Sequence, residues 1–293
     1  MELKRMGGDW NTRGVYFRVR TKRFTLFAVC FFALFTFSLE VEAQNPQSLS
    51  VRVDGTDRQA LLYSGNQALG ESTPLVLVFH GYGGSSGGLK NPQGLANHLN
   101  IHDHWPEAIV VYGKGLVIPR RADGRIKPGK EKPGWQRAPG MDGDRDLRYV
   151  DALIEAVDDR LQLDRKRVYA TGYSNGAVFT WVLLKTRPHT IAGFAPIGGI
   201  DNGAIENATV PRPVIFHFGE QDEAFQLEWA RKSVRRVKRL NRSTSETRDW
   251  GEYSVWFDYA EGGAPFVWHL HPRGHEVPME ASANIVRFFK EVG

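Results

Sequence analysis

From Pro74 to Gly84 the chain reads PLVLVFHGYGG, an apolar run from Leu75 to Phe79 followed by glycines. A strand with one wet face alternates apolar and polar residues, so an unbroken run marks a strand covered on both faces. AIVVYG (108–113), RVYATG (167–172), IAGFAPIGG (191–199) and PVIFHFGEQD (213–222) read the same way. Between these runs the period changes to that of a helix. In DLRYVDALIEAVDDRLQ (146–162) the apolar positions 147, 150, 153, 154, 157 and 161 share one face. Helices are also expected over LKNPQGLANHLN (89–100), AVFTWVLLKT (177–186), residues 226–240, and from about Met279 to Lys290. In 226–240, Leu227, Ala230, Val234, Val237 and Leu240 point inward, and Arg231, Lys232, Arg235, Arg236, Lys238 and Arg239 make a charged outer face. LSVRV-DGTD-RQALLYS (49–64) predicts a hairpin around Asp54-Gly55, and SVWFDY with PFVWHLH a last pair of strands. Strands alternating with helices predict the α/β class: a mostly parallel central sheet opened by an antiparallel hairpin, with helices on both faces. Residues 44–293 form one expected domain, with 114–145 as a loop insertion near the active site.

The N-terminus breaks this pattern. Arg18, Arg20, Lys22 and Arg23 precede FTLFAVCFFALFTFSL (24–39), and Val41-Glu42-Ala43 follows. A basic start, an apolar stretch shorter than the ~20 residues of a membrane span, and small residues at the junction describe an export signal over residues 1–43. Cleavage after Ala43 implies a secreted or periplasmic protein with no stable membrane association; retention as an anchor is the alternative. The single cysteine, Cys30, lies in this segment, so the exported chain holds no disulfide. Seven of the 38 Lys and Arg residues and four of the 33 Asp and Glu residues also lie there, leaving a mature charge near +2. That balance gives no reason to expect nucleic acid as a partner.

Gly172-Tyr173-Ser174-Asn175-Gly176 occupies the join between an expected strand and an expected helix. Parallel α/β sheets carry their chemistry at the carboxyl ends of strands. A serine there becomes a nucleophile when a base takes its proton. Of nine histidines, His275 alone lies in a strand-end loop, PRGHEVP, after the serine in chain order. Asp222, just beyond PVIFHFGEQ, falls between them and would orient the imidazole, with Asp201, Glu220 and Glu223 as alternatives. The oxyanion would be held by the backbone N–H of Asn175 and by that of Tyr82 in HGYGGS (80–85), while His80 braces that loop.

HGYGGS, GYSNG, the Asp222 loop and GHEVP resemble the α/β-hydrolase superfamily, in particular its secreted polyhydroxybutyrate-depolymerase and feruloyl-esterase-like branch. The resemblance covers most of residues 50–293. Val277 replaces the tryptophan usual after the histidine, and the branch's frequent cysteines are missing. The resemblance implies hydrolysis of carboxylic esters, small or polymeric, through an acyl-enzyme and without cofactor or metal. Trp135 in PGWQRAPG matches a tryptophan of that group and is expected to bind substrate by stacking, or else to pin its loop to the body. The loop 114–138 carries eight Lys or Arg residues, suited to an anionic substrate or simply solvated. Asn207-Ala-Thr and Asn241-Arg-Ser fit the N-glycosylation pattern. A prolyl-oligopeptidase-like peptidase and a non-catalytic glycan- or surface-binding protein are the rival readings.

Overall fold

Asp54 and Gly55 hold φ of 49° and 78°, the left-handed conformation that a two-residue hairpin turn demands. They join β1 (Gln47–Val53) to β2 (Thr56–Tyr63), with Val53 opposite Thr56. The computed structural model describes residues 45–65, 72–83, 91–118 and 131–293. The export segment expected over residues 1–43 and the centre of the loop 114–145 lie outside them. The described flanks of that loop pair as two short strands, β5 (Leu116–Val117) and β6 (Pro133–Gly134).

The unbroken apolar runs become β3 (Thr73–Phe79), β4 (Ile109–Gly113), β7 (Leu163–Tyr173), β8 (Gly193–Ile197) and β9 (Val214–Gly219). Beyond them lie β10 (Ser243–Gly251), β11 (Ser254–Tyr259) and β12 (Phe266–His271). Among the described residues, one sheet has the order β1-β2-β4-β3-β7-β8-β9-β12-β11-β10. β4, β3, β7, β8, β9 and β12 run parallel, and antiparallel pairs close both edges. The second edge exceeds the expectation of one opening hairpin. STSETRDWG in β10 shows no apolar alternation because only Trp250 is buried, so the pattern that identifies a half-buried strand is missing.

Alternate side chains of β3 enter opposite cores, Leu75, Leu77 and Phe79 on one face and Val76 and Val78 on the other. The first core is covered by α3 (Arg145–Asp158), α4 (Asn175–Thr186) and α5 (Leu227–Leu240). The second is covered by α1 (Pro92–His98), α2 (Ile101–His104) and α6 (Ala281–Val292). The single helix expected over 89–100 is instead the short α1. Its start is set by Asn91, whose side chain accepts the Gly94 N–H at 2.7 Å, with Pro92 following. No helix among the described residues is long and apolar enough to cross a membrane. Asn241 is fully buried, its amide donating to the Arg212 carbonyl, so the second glycosylation pattern is a structural asparagine and not an acceptor.

Arg58 on β2 and Asp146 on α3 form an ion pair at 2.9 Å, with side chains no more than 1% exposed. Burial lowers the guanidinium from its ordinary pKa, and the carboxylate opposes that shift. Asp146 also accepts the Gln136 N–H at 2.8 Å, and Arg58 lies 3.8 Å from the Tyr149 ring centre. The pair thus ties the returning arm of the 114–145 loop to the first edge of the sheet. Removing one partner strands the other charge in a dry site. Asp146→Ala is expected to lower the unfolding free energy in urea by about 3–5 kcal/mol. Arg52→Ala, which breaks the exposed 3.0 Å pair with Asp57, is expected to cost under about 1 kcal/mol.

Candidate active site

Ser174 stands between the end of β7 and the start of α4 at φ 55° and ψ −113°, a conformation disfavoured for a residue with a side chain. Its N–H donates to the Ile197 carbonyl at 2.8 Å, and its own carbonyl accepts the Val178 N–H at 3.0 Å. The flanking glycines permit this turn. A Cβ on Gly172 would meet the Gly176 carbonyl oxygen at 2.5 Å, and one on Gly176 would strike the carbonyl of Phe79 on β3. The backbone is therefore packed on both sides of the serine, and its hydroxyl is left at the sheet's carboxyl edge.

That hydroxyl lies 2.9 Å from His275 Nε2, and His275 Nδ1 lies 2.7 Å from Asp222 Oδ2. Asp222 follows β9 and His275 follows β12, neighbouring parallel strands whose ends bring the two loops together. The Asp222 side chain is wholly buried. Its Oδ1 accepts the N–H groups of Ala224 and Phe225 at 2.8 and 2.9 Å, which fixes Oδ2 toward the imidazole. With the carboxylate at Nδ1, that nitrogen carries the proton and Nε2 is the acceptor for the serine hydroxyl. The Tyr173 hydroxyl donates to the His275 carbonyl at 2.8 Å and steadies the loop. Asp201, an alternative acid in the sequence, is committed elsewhere: buried, it accepts from Ser233 at 2.8 Å and Arg236 at 3.1 Å.

Tyr82 and Asn175 line the same cavity as Ser174. Asn175 is the first residue of α4, so its N–H has no helical carbonyl partner and lies next to Ser174. Its side chain is locked by Trp135, whose N–H donates to Asn175 Oδ1 at 2.7 Å and whose carbonyl accepts Nδ2 at 3.1 Å. The expectation that Trp135 stacks on substrate is corrected. The indole is fully buried beside Phe79, Phe179 and Tyr149, and presents no face to the cavity. Its Nε1–H donates to the His80 carbonyl at 2.8 Å, so it holds the first residue of the HGYGG loop. His80 accepts the Gly115 N–H at Nε2, 3.0 Å away, which assigns its proton to Nδ1, and Nδ1–H donates to the Gly81 carbonyl at 2.7 Å. His80 thus braces the loop.

The cavity has a volume of about 880 Å³ and extends from Ser174 to α5, where Trp229, Lys232 and Arg236 line it. The sequence pattern puts Lys232 and Arg236 on the outer face of that helix. At positions 229, 232 and 236 the helical spacing instead makes them one stripe facing the site.

The profile of the dienelactone hydrolase family matches residues 133–243, from β6 through α5, including Ser174 and Asp222. The bifunctional acetylxylan esterase/xylanase XynS20E of Neocallimastix patriciarum is 25% identical over 177 residues, 60% of this chain and 23% of that protein. NocK of Nocardia uniformis subsp. tsuyamanensis is 28% identical over 181 residues, so this chain spans less than half the length of either curated relative, 23% and 47%. The CE1 ferulic acid esterase of Anaeromyces mucronatus, solved with ferulic acid, superposes with a TM-score of 0.58 at 12% identity, over 88% of this chain and 93% of that one. The acetyl xylan esterase of Aspergillus awamori gives a TM-score of 0.57 at 14% identity, over 83% and 98% of the two chains. The chain has the α/β-hydrolase fold.

Within this fold several histidines are buried, His80 just past β3, His217 on β9, and His269 and His271 on β12. Burial holds His80 down to about 4, and burial together with His269 does the same to His271. His217 is also pushed down, chiefly by burial. Unfolded imidazole titrates near 6.5, so as pH falls the unfolded chain binds protons first. Stability is therefore expected to drop from about pH 6.5 downward and level below about pH 4, by on the order of 3 kcal/mol for His80 alone. Urea midpoints measured from pH 7 to pH 5 check this, with a shallower slope in His80→Gln.

Proposed function

We propose that the protein hydrolyses carboxylic esters by nucleophilic catalysis, with Ser174 as nucleophile, His275 as general base then general acid, and Asp222 as the residue that orients the imidazole. The observation that carries this reading is the continuous Ser174–His275–Asp222 hydrogen-bond chain, 2.9 and 2.7 Å long, ending on a hydroxyl in an open cavity. His275 Nε2 takes the serine proton as Oγ attacks the ester carbonyl. The imidazolium so formed is stabilised by the buried carboxylate, then delivers the proton to the departing alcohol. The N–H groups of Asn175 and Tyr82 receive the developing oxyanion. Water, deprotonated by the same imidazole, then releases the acid from the acyl-enzyme.

Ester hydrolysis is favoured over a peptidase by the company the chain keeps: both xylan-linked relatives and the ferulic acid esterase carry ester activities in their names. We take acetyl or hydroxycinnamoyl esters of polysaccharide as the first substrates to try, with polyhydroxyalkanoates as the comparison. The apolar segment at 24–39 supports export, with the mature protein acting outside the cytoplasm.

Ser174→Ala is expected to reduce turnover of p-nitrophenyl acetate by at least about 10⁴-fold, and Asp222→Asn by about 10³–10⁴-fold, with thermal midpoints little changed. A fluorophosphonate is expected to label Ser174 of the wild type; no labelling would point to a binding protein on this scaffold, and faster cleavage of peptide amides than of esters to a peptidase. Export predicts that N-terminal sequencing of the secreted protein begins at Gln44.

A further inference from the structure

Trp229 is the most exposed tryptophan among the described residues, at 41%, and it lines the cavity that holds Ser174. Phe225, four residues before it in the chain, lines the same cavity with its ring centre 5.8 Å from that of His275. An indole left exposed inside a site costs solvation of a large apolar face unless a ligand covers it.

The charges on the same wall are unevenly paired. Arg236 is engaged by Asp201 at 3.1 Å and by Glu206 at 3.6 Å. Glu228, one turn before Lys232, is held by Arg235 at 2.8 Å. Lys232 lines the cavity with no carboxylate of the described residues in ion-pair contact. Asn202 and Glu206 place amide and carboxylate groups beside the indole's cavity. A flat aromatic acid would use the indole but not these groups. A sugar ring uses both, laying its C–H face on the indole while its hydroxyls meet the polar side chains. The volume of about 880 Å³ leaves room for more than one ring.

We infer that the wall formed by Trp229 and Lys232 is a subsite for a carboxylate-bearing saccharide, so that the ester substrate is an acidic, uronate-containing carbohydrate. This rests on the ester-hydrolase reading above and names its substrate class. The indole carries the pyranose face, and the ammonium of Lys232 meets the uronate carboxylate. The pair is partly solvated, so its contribution is modest and falls with salt.

Tryptophan-fluorescence titration of the wild-type protein tests the subsite with ligands that contain no ester: glucuronate-substituted xylotriose, plain xylotriose and ferulate. The substituted trimer is expected to bind about fivefold tighter than the plain one in low salt. That preference is expected to disappear in Lys232→Gln and return in Lys232→Arg, while Trp229→Ala weakens both trimers. Equal binding of the two trimers, no saturable binding of either, or an unchanged preference in Lys232→Gln overturns the inference. Ferulate binding tighter than both trimers overturns the saccharide assignment. Because no bond is cleaved in these titrations, their failure is separable from a failure of Ser174→Ala to abolish ester turnover.

Discussion

The backbone crossing at Ser174 governs the rest of the site. Gly176 lies so close to the Phe79 carbonyl, and Gly172 to the Gly176 carbonyl, that any side chain at either position would force β3, β7 and α4 apart. A serine in a positive-φ conformation persists only where surrounding structure holds it there. Here the restraint is supplied by three strands, since the serine N–H is also bound to the carbonyl of Ile197 at the end of β8. The same crowding pushes the hydroxyl out of the sheet and leaves the first amide of α4 pointing beside it.

Around that crossing Trp135 and His80, neither of which lines the cavity, build a hydrogen-bonded frame. Trp135 bonds both ends of the Asn175 side-chain amide and, through its indole, the carbonyl of His80. His80 in turn links Gly81 to Gly115. The two loops expected to supply oxyanion donors are thereby bound to one another through the core. The Arg58–Asp146 pair anchors the segment that brings Trp135 there, so a buried ion pair near the sheet edge and the placement of the amide next to Ser174 are linked through one set of contacts.

Much of this was legible in the chain because it is encoded locally. Glycines on either side of Ser174, apolar runs ending in loops, and the order serine, aspartate, histidine all follow from short stretches and from the rule that parallel sheets work at one edge. What escaped depends on tertiary placement. Trp135 sits in a polar loop, and nothing nearby in sequence reveals that its indole enters the core 55 residues from its hydrogen-bond partner His80. Lys232 and Arg236 lie on the charged side of an amphipathic helix; only the position of the loop carrying Asp201 and Glu206 turns the border of that side into a cavity wall. β10 is a polar edge strand, and Asn241 carries a surface-type sequence pattern on a buried side chain.

Ser174 and His275 are separated by 101 positions along the chain, and β12, which precedes His275, is synthesised well after β7. A ribosome-bound or unfolded polypeptide therefore carries only an ordinary alcohol at position 174. The hydrogen-bonded line from that hydroxyl to Asp222 forms only once β12 lies beside β9, so the pairing of these two strands is the condition for any activation of the serine.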